Sequence, residues 1–377
     1  MSARAHDASR RRRTPERSAW PRLRVSRVSL LLLALVCMAG GAPAAQAGSF
    51  QDPLDTPAVA TRFTSSTQLS AVARAGPRLV AVGARGLIAL SDDEGRSWRQ
   101  AASPVSSDLV AVRFVSARKG WASGHDGVIL ATDDGGEHWV KQLDARMAET
   151  LFKQHFATLA AAGDADAARL AKEIARNYQD GPEVPILDLW FDNDRVGWAA
   201  GPFGTLLGTR DGGKTWESWV EKVDDGKMLH YNAVRGVGGD VYLASEQGLL
   251  YRLDRARGRF TPVQTGYTGS FFGVVGTRDY VIAYGIGGSA YRSRDGGASW
   301  QRLATGVHGG LTAACVLDDG RLLFVSQDGR LMMSQDQGDT FHSVTVSHPG
   351  LFTDVVPAGA DEAVVTGLGG AQRANLQ

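Results

Sequence analysis

Two kinds of glycine-rich turn flank a short β-prone segment in the stretch Gly120-Trp-Ala-Ser-Gly-His-Asp-Gly-Val-Ile-Leu-Ala-Thr-Asp-Asp-Gly-Gly-Glu-His-Trp139. The first turn is Gly124-His-Asp-Gly127. The second is built from Thr132, Asp134, Gly136 and Trp139. Glycine supplies the positive φ that tight turns require, and an aspartate can accept backbone N–H bonds inside such a turn. The stretch therefore predicts short antiparallel strands joined by two different turns.

The first turn recurs along the chain at a nearly constant interval. Its last glycine is found seven times, with separations of 41, 77, 44, 40, 41 and 41 residues. The interval of 77 residues equals one period of about 41 residues plus an insertion of about 36. The seven glycines are Gly86, Gly127, Gly204, Gly248, Gly288, Gly329 and Gly370.

The second turn stays in phase with the first, as Ser or Thr, then Asp, Gly and an aromatic residue. The complete copies are Ser91/Asp93/Gly95/Trp98, Thr132/Asp134/Gly136/Trp139, Thr209/Asp211/Gly213/Trp216, Ser293/Asp295/Gly297/Trp300 and Ser334/Asp336/Gly338/Phe341. The fourth repeat has Leu253, Arg255 and Arg257 in the polar positions but keeps Phe260. We expect the aromatic residue to pack between neighbouring sheets.

Each period predicts four short strands. In the second repeat these are 109–115, 120–123, 128–131 and 138–142. Seven units of four strands indicate an all-β fold, a seven-bladed β-propeller, and the β-branched, alternating segments exclude a helical solenoid. The seventh repeat stops before its outer strand, so we expect the β-prone segment Ala60–Thr67 to complete the last blade and close the ring.

The insertion, residues 142–180, breaks the strand pattern and predicts a helical hairpin. One apolar helical face contains Met147, Leu151, Phe152, Phe156 and Leu159, and a second contains Leu170, Ile174 and Tyr178. The hairpin joins the outer strand of the second blade to the inner strand of the third. Two interpretations remain open: a decoration on the propeller rim, or an element that grips a partner or covers the central opening.

The net charge of +1 is the sum of two unlike parts. Residues 1–27 carry nine arginines and a net charge of +7, and the rest of the chain carries −6. An apolar run of about 12 residues follows, too short to span a bilayer, and Ala45-Gln-Ala47 fits a signal-peptidase site. We therefore expect a signal peptide over 1–47, cleavage between Ala47 and Gly48, a propeller over 48–377, and a periplasmic or extracellular bacterial location. Cleavage would leave Cys315 alone, as a buried and inert thiol.

The turn built on Ser/Thr-x-Asp-x-Gly-x-Ser/Thr-Trp resembles the Asp-box of bacterial neuraminidase repeats. The longer run Gly-Trp-Ala-x-Gly-x-x-Gly, followed by Asp-Gly-Gly-x-x-Trp, occurs at Gly120–Trp139 and again at Gly197–Trp216. This run resembles the photosystem II stability/assembly factor family of exported seven-bladed propellers. The resemblance covers about residues 68–370. It implies a non-enzymatic protein that binds a protein client.

An enzyme is the alternative from another class. Sialidase-like glycan hydrolysis needs an arginine cluster, a tyrosine nucleophile supported by a glutamate, and an acidic aspartate, but the Arg-Ile-Pro motif of that family is absent. We predict no catalytic, cofactor-binding or metal-binding residues. The mildly acidic body argues against nucleic acid as a partner. A cluster of Glu, Asp, Tyr and Arg at the central opening would favour the enzyme, and an apolar face would favour a binding protein.

The variable residues inside the Gly-x-x-Gly turns are the candidate partner face. They are Arg85, His125, Asp126, Pro202, Phe203, Ile286, Gln327, Asp328 and Leu368, of which Arg85, His125, Phe203, Ile286 and Asp328 are the main candidates. In a propeller these turns lie together on one face of the disc. The sequence therefore predicts a monomeric exported propeller that presents this face, with the hairpin beside it, to the extracytoplasmic part of a membrane complex. A scaffold for an envelope transporter is a further alternative.

Overall fold

Seven antiparallel sheets, six with four strands and one with three, follow one another in chain order. The structure is a computed structural model that describes residues 51–224 and 227–377. Each sheet is a meander in which successive strands are neighbours, as expected for strands joined by short turns. The predicted seven-bladed β-propeller is thus confirmed.

The strands are numbered β1 to β27 in chain order, and the first strand of each blade is called its inner strand. Blades one to three comprise β1 Leu69–Ala75, β2 Arg78–Gly83, β3 Ile88–Ser91, β4 Arg99–Ala101; β5 Leu109–Phe114, β6 Gly120–Gly124, β7 Ile129–Thr132, β8 Val140–Leu143; and β9 Asp188–Phe191, β10 Gly197–Ala200, β11 Leu206–Thr209, β12 Glu217–Ser218. The four strands predicted for the second repeat agree with β5 to β8 within two residues at each end.

Blades four to seven continue the same order. They comprise β13 Tyr231–Val237, β14 Asp240–Ser245, β15 Leu249–Asp254, β16 Arg259–Gln264; β17 Phe271–Gly276, β18 Val281–Gly285, β19 Ala290–Ser293, β20 Gln301–Arg302; β21 Leu311–Val316, β22 Leu322–Ser326, β23 Leu331–Ser334, β24 His342–Val344; and β25 Phe352–Pro357, β26 Glu362–Gly367, β27 Gly370–Asn375.

The hydrophobic core lies between neighbouring blades. Between blades two and three the indole of Trp121 stacks on the ring of Phe191, with the ring centroids 3.5 Å apart. Trp139, the aromatic residue of the second Asp-box, packs in a cluster that joins blades one and two. Trp216 packs in the cluster that joins blades two and three. Burial of these large rings between sheets makes each blade depend on its neighbours.

Closure of the ring differs from the prediction that residues 60–67 add a strand to blade seven, and that prediction is wrong. These residues form no strand, and blade seven has only β25, β26 and β27 in the described chain. The backbone N–H of Thr61 donates instead to the side chain of Gln100 in β4. The segment still contacts blade seven through Ser65, whose carbonyl accepts from the N–H of Ala371 at 2.9 Å.

Residues 52–66 therefore form a strap, as we call this segment, along the outer edge of blade one. The N–H of Ala58 donates to the carbonyl of Ser103, and the hydroxyl of Thr64 donates to the carbonyl of Trp98. The strap begins beside blade two, where Asp55 forms an ion pair with Arg146 at 2.8 Å. It thus links blades two, one and seven without completing any sheet.

The insertion forms the expected pair of helices, α1 Ala145–Ala161 and α2 Ala167–Asn177. The carboxylate of Asp144 caps α1 by accepting the N–H of Met147 at 3.1 Å. The buried faces contain Ala148, Phe152 and Phe156 on α1 and Leu170 and Ile174 on α2, with Tyr178 buried directly after α2. The prediction that Met147 belongs to the apolar face is wrong, since this residue is 49% exposed. The row of α1 residues that contacts the propeller runs through Ala148 instead.

The predicted leader, residues 1–47, and the cleavage site at Ala47 and Gly48 lie outside the described residues. Among the described residues, none of the helices has both the length and the apolar character needed to cross a bilayer. Cys315, half-buried on β21, has no disulfide partner among the residues that the structure describes. Burial raises the pKa of its thiol, which disfavours the reactive thiolate at neutral pH.

Candidate functional site

The meander gives the propeller two different faces. The turns that join the second and third strands lie on one face, together with the connections between successive blades; we call it the loop face. The Asp-box turns, which join the third and fourth strands, lie on the opposite face, the turn face. The five main candidates for partner contact, Arg85, His125, Phe203, Ile286 and Asp328, are all exposed and all belong to the loop face.

The loops on the loop face are held by backbone hydrogen bonds. In blade two the N–H of His125 donates to the carbonyl of Asp108, just before the inner strand. The equivalent bonds in blades one, five, six and seven run from Ala84 to Gln68, Ile286 to Ser270, Gln327 to Gly310 and Leu368 to Leu351. Because one anchor repeats around the ring, the loop tips are presented from a fixed backbone.

The tip residue of several loops has a left-handed backbone conformation that costs a non-glycine residue free energy. It has a φ of 55° at Arg85, 56° at Asp126, 54° at Phe203 and 58° at Gln247, and blade five has Gly287 at this position. A non-glycine residue in this region costs of order 1–3 kcal/mol and persists when its surroundings impose it. The N–H of Arg85 donates to the carboxylate of Asp108 at 2.7 Å, which is one such constraint.

More large apolar side chains are exposed on the loop face than on the turn face. Its loops present Phe203, Ile286, Leu351 and Leu368. Val59 and Phe63 in the strap and Met147 in the hairpin are also exposed, whereas only Val115 among the exposed large apolar residues described lies on a turn of the turn face. The remaining one, Val140, lies on the outer strand of blade two. Apolar side chains grouped on one face are typical of a protein-binding surface.

The helical hairpin contacts the loop face directly. The side-chain amide of Asn177, at the end of α2, donates to the carbonyl of Phe203 at 3.2 Å. The ring of Phe203 packs edge-on against His230, with centroids 4.6 Å apart. The start of α1 lies against the loop of blade two, where Ala145 contacts Gly127. The hairpin thus supports two neighbouring loops.

The Asp-box residues form closed hydrogen-bond networks on the turn face. In blade one the Ser91 hydroxyl donates to Asp93 at 2.8 Å and accepts the N–H of Gly95, and Asp93 also accepts from the hydroxyl and N–H of Ser97. The networks of blades two, three, five and six centre on Thr132/Asp134, Thr209/Asp211, Ser293/Asp295 and Ser334/Asp336. Each Asp-box carboxylate thus already accepts hydrogen bonds from donors within its own turn.

The glycine of each Asp-box belongs to the same network. Its N–H donates to the hydroxyl that begins the motif, over distances from 2.7 Å in blade six to 3.0 Å in blade two. Its φ lies between 81° and 94°, a conformation that glycine adopts without strain. The five glycines are Gly95, Gly136, Gly213, Gly297 and Gly338. Among the described residues that line the central opening, none belongs to an Asp-box.

The aromatic residue that ends the Asp-box is less buried than its packing role suggests. Three of the five copies are only half-buried, and these are Trp98, Trp300 and Phe341. Trp300 packs against the cluster that joins blades four and five, and its indole N–H donates to the carbonyl of Gly297 at 3.1 Å. Phe341 packs against the cluster that joins blades five and six, with its ring centroid 5.6 Å from that of Phe324. Trp139 and Trp216, at the same position of blades two and three, are buried.

These donors shift the pKa of each Asp-box carboxyl. The hydroxyl and N–H of Ser97 lower the pKa of Asp93 to about 2, and Ser299 does the same for Asp295. Burial opposes the shift at Asp134, but the bonds from His138 and Thr132 still lower its pKa to about 2. The Asp-box carboxylates are therefore ionised throughout the neutral range and serve as turn anchors.

Ion pairs between neighbouring blades occupy many of the other charges on the turn face. Arg78 of blade one pairs with Glu137 of blade two at 2.8 Å, and Arg321 of blade six pairs with Asp361 of blade seven at 3.1 Å. The buried Arg292 of blade five pairs with Asp339 of blade six at 2.6 Å. Charges that already have partners are less available to a ligand.

A cavity of about 420 Å³ lies at the centre, where the seven inner strands meet. Asp188 of blade three contacts Arg235 of blade four at 2.5 Å and Arg113 of blade two at 3.5 Å. Arg113 also approaches Asp354 of blade seven at 3.8 Å. Burial raises the pKa of Asp188 to about 7, against the opposing effect of Arg113, and burial also raises the pKa of Asp354.

Both aspartates also bind the backbone of the next blade. Asp188 accepts the N–H of Val234 at 3.0 Å, and Asp354 accepts the N–H of Val72 at 3.1 Å. Sequence reasoning missed this network. The signal was the replacement of the Ala or Gly at one inner-strand position by Asp in blades three and seven; the equivalents are Ala71, Ala111, Ala233, Gly273 and Ala313.

Arginine, aspartate and tyrosine thus converge at the centre, the pattern that we associated with an enzyme, but their environment differs from that of a sialidase. No glutamate is among the described residues that line the cavity, so Tyr284 has no glutamate to support it. Burial also raises the pKa of Tyr284, which makes it a poor nucleophile. Within the described chain, no group of three or more His, Cys, Asp or Glu residues is arranged to hold a metal ion.

Comparisons with known proteins agree with the resemblance seen in the repeats. Residues 175–350 match the family model described as photosynthesis system II assembly factor YCF48. The photosystem II assembly protein Ycf48 of Synechococcus sp. (strain JA-3-3Ab) is 25% identical over 315 residues, covering 72% of this chain and 86% of that protein. The resemblance to the photosystem II assembly factor family is confirmed.

Solved structures of related proteins have the same fold. A structure of YCF48 bound to D1 peptide has a TM-score of 0.60 at 15% identity, covering 85% of this chain and 96% of that one. YCF48 from Cyanidioschyzon merolae has a TM-score of 0.60 at 16% identity, covering 82% of this chain and 96% of that one. At these identities the likeness concerns the fold.

Proposed function

We propose, on the premise that residues 175–350 match the photosystem II assembly factor model, that this protein is a non-enzymatic assembly or stability factor. It binds a protein client through the loop face. The observation that carries the proposal is the grouping of exposed apolar side chains on that face. The solved relative with a bound D1 peptide supports a protein segment as the kind of client.

The mechanism is rigid presentation of a surface. Backbone bonds fix the loops, and Asn177 fixes the loop of Phe203 to the hairpin. A surface that is already ordered loses little conformational entropy on binding, which favours affinity. The central aspartates are bound to arginines and to the backbone of neighbouring blades, and they act as ties between blades instead of catalytic groups.

We place the protein outside the cytoplasm, as a monomer acting on the extracytoplasmic part of a membrane complex. This location rests on the predicted signal peptide over 1–47 and the cleavage site at Ala47 and Gly48. The propeller over 48–377 would then be the mature protein, and the hairpin of residues 142–180 would belong to its client-binding side.

The test is affinity purification of clients from membranes of the host. A variant with Phe203→Ser, Ile286→Ser and Leu368→Ser should recover several-fold less client, because exposed apolar side chains at an interface core carry much of the binding energy. The matched control is Val115→Ser with Val140→Ser, which changes exposed apolar residues away from the loop face. Equal recovery by both variants and the native chain would reject the loop face.

A second purification tests the hairpin. Replacing residues 145–177 by a short glycine-serine linker removes both helices and the contact with Phe203. If the hairpin helps to grip the client, recovery falls while the propeller still unfolds cooperatively. Recovery of the same set of clients from both forms would assign the hairpin to the rim as a decoration.

A further inference from the structure

We propose that the outer edge of β27 in blade seven accepts an extended segment of the client, which adds as a fourth strand. The proposal deepens the proposed function and rests on it for the nature of the client, a protein. In the described chain blade seven is the one blade with three strands, between the four-stranded blades six and one. We call the position beside β27 the slot.

The backbone of β27 presents unpaired groups to the slot. The register places Gly370 to Asn375 opposite β26, and in an antiparallel ladder only every second residue exchanges backbone hydrogen bonds with its partner strand. The N–H of Ala371 points the other way and donates to Ser65 of the strap. By the same alternation Arg373 and Asn375 direct their N–H and C=O groups into the slot. An added strand can pair with these two residues.

The side chains along β27 are less covered than those of four other third strands. Every residue of β3, β7, β11 and β23 is buried. In β27 three consecutive residues, Ala371 to Arg373, are half-buried and Asn375 is exposed. β15 and β19, which do have an outer strand, also contain half-buried residues, so the open position beside β27 is defined by the strand count of the described chain and by its backbone edge.

Apolar side chains border the slot on both sides. Val344 and Val346, at the end of blade six, pack half-buried against the cluster that contains Ala374 and Leu376. On the other side Trp98 of blade one packs half-buried against the same cluster as Ala371. The Arg373 guanidinium forms an ion pair with Glu362, which neutralises the one positive charge on the strand. These borders fit an uncharged extended segment with alternating apolar residues.

A strand added in the slot would be about as long as the outer strands of the other blades. The outer strands β12 and β20 have two residues, and β4 and β24 have three. An added strand opposite Arg373 and Asn375 would have a similar length. The chain's own strap leads away from the slot, since Ser65 lies beside Ala371 but Asp55 binds Arg146 on the far side of blade one. Since the described strap does not enter the slot, a client segment is the occupant that we infer.

The test uses amide hydrogen exchange of the full chain with a defined probe. The probe is an end-capped peptide of alternating threonine and valine with a lysine at each end. Added in excess, it should slow exchange at Arg373 and Asn375 about ten-fold or more, since hydrogen-bonded amides are protected. The same peptide with every second amide N-methylated cannot pair as a strand and should give no protection.

A proline variant tests the same edge from the protein side. Arg373→Pro removes an N–H that does not bind β26, so the sheet should remain intact while peptide protection at Asn375 is lost. Arg373→Ala keeps the N–H and removes the side chain, so it should retain protection. A thermal unfolding curve checks that both variants fold. If Arg373→Pro does not fold, the N-methylated peptide still decides.

Several results would overturn the slot. They are protection at Arg373 and Asn375 before any peptide is added, equal protection at the edges of β12 and β20, doubling of the mass in solution, and protection by the N-methylated peptide. The proposed function is judged separately by client purification. Loss of clients with the loop-face variant but not with Arg373→Pro would reject the slot alone.

Discussion

At the scale of single residues, the Asp-box carboxylates make the stability of the turn face depend on pH. The folded pKa of Asp93, Asp134 and Asp295 is about 2, below the ordinary value of 3.8. The unfolded chain therefore binds protons first as the pH falls. The stabilising contribution is complete above about pH 4 and is lost as the pH falls through about 2.

We expect the Asp295→Asn variant to show this dependence directly. The N–H and hydroxyl of Ser299 donate to a charged carboxylate in the native chain, and the neutral amide of Asn is a weaker acceptor. The thermal midpoint at pH 7 should therefore fall by about 2 °C. The difference from the native chain should shrink between pH 4 and pH 2. Asp279→Asn, in an exposed turn on the same face, is the control. A difference that stays constant down to pH 2 would contradict the assignment.

Several residue-level features had a clear sequence signal, and others had none. The spacing of Ser91, Asp93 and Trp98 recurs, so the Asp-box turns could be read directly. The left-handed backbone at Arg85 and Phe203 could not, because neither residue favours it and the constraint comes from groups elsewhere in the fold, such as Asp108. The ties at Asp188 and Asp354 had a sequence signal only in the comparison of repeats, as Asp at a position that is Ala or Gly in the other blades, and their partners could not be read from the local sequence.

At the scale of elements, the hairpin shares one hydrophobic cluster with blades two and three. Phe152 and Phe156 of α1 are fully buried in the cluster that contains Leu170 and Ile174 of α2. The heptad-like spacing predicted the helices, but it placed Met147 inside. Alanine is only weakly apolar, so a sequence pattern does not mark it as a buried position. Ala148 is buried because α1 approaches the propeller closely there, which the local sequence does not show.

Phe152→Ala should destabilise the hairpin selectively. Truncation of a fully buried phenylalanine costs about 3–5 kcal/mol. The helical signal in circular dichroism should be lost at a lower temperature, ahead of the main transition of the propeller. The control is Met147→Ala, at an exposed position of the same helix. A single transition shifted as a whole would mean that the hairpin and the blades unfold together.

At the scale of the whole molecule, the ring is closed by contacts between blades one and seven. The hydroxyl of Thr353 donates to the carbonyl of Leu69, and Arg74 donates to the carbonyl of Pro357. Asp354 adds its bond to Val72. The period of 41 residues predicted the number of blades, but nothing local in residues 60–67 could show that Thr61 binds Gln100 of blade one.

Deletion of residues 48–67 should lower the thermal midpoint sharply. It removes the buried Leu54, the bonds of the strap to β4 and the bond between Ser65 and Ala371. Burial of one leucine contributes about 2 kcal/mol, and the bonds add to it. The comparison is Asp55→Ala, which breaks an exposed ion pair and should have little effect. An unchanged midpoint after the deletion would show that the ring closes without the strap.

The bond between Ser65 and Ala371 also bears on the order of events during biosynthesis. Its two partners lie near opposite ends of the described chain, and the ties from Thr353 to Leu69 and from Arg74 to Pro357 span 284 and 283 residues. Contacts of such sequence separation form late, because a long loop must close first. The strands within each early blade can pair as they emerge, but the contacts of blade one with blade seven form only after blade seven has been synthesised. An emerging chain thus holds an open seam until its last strands have been made, and a chaperone would encounter that seam as the final exposed surface.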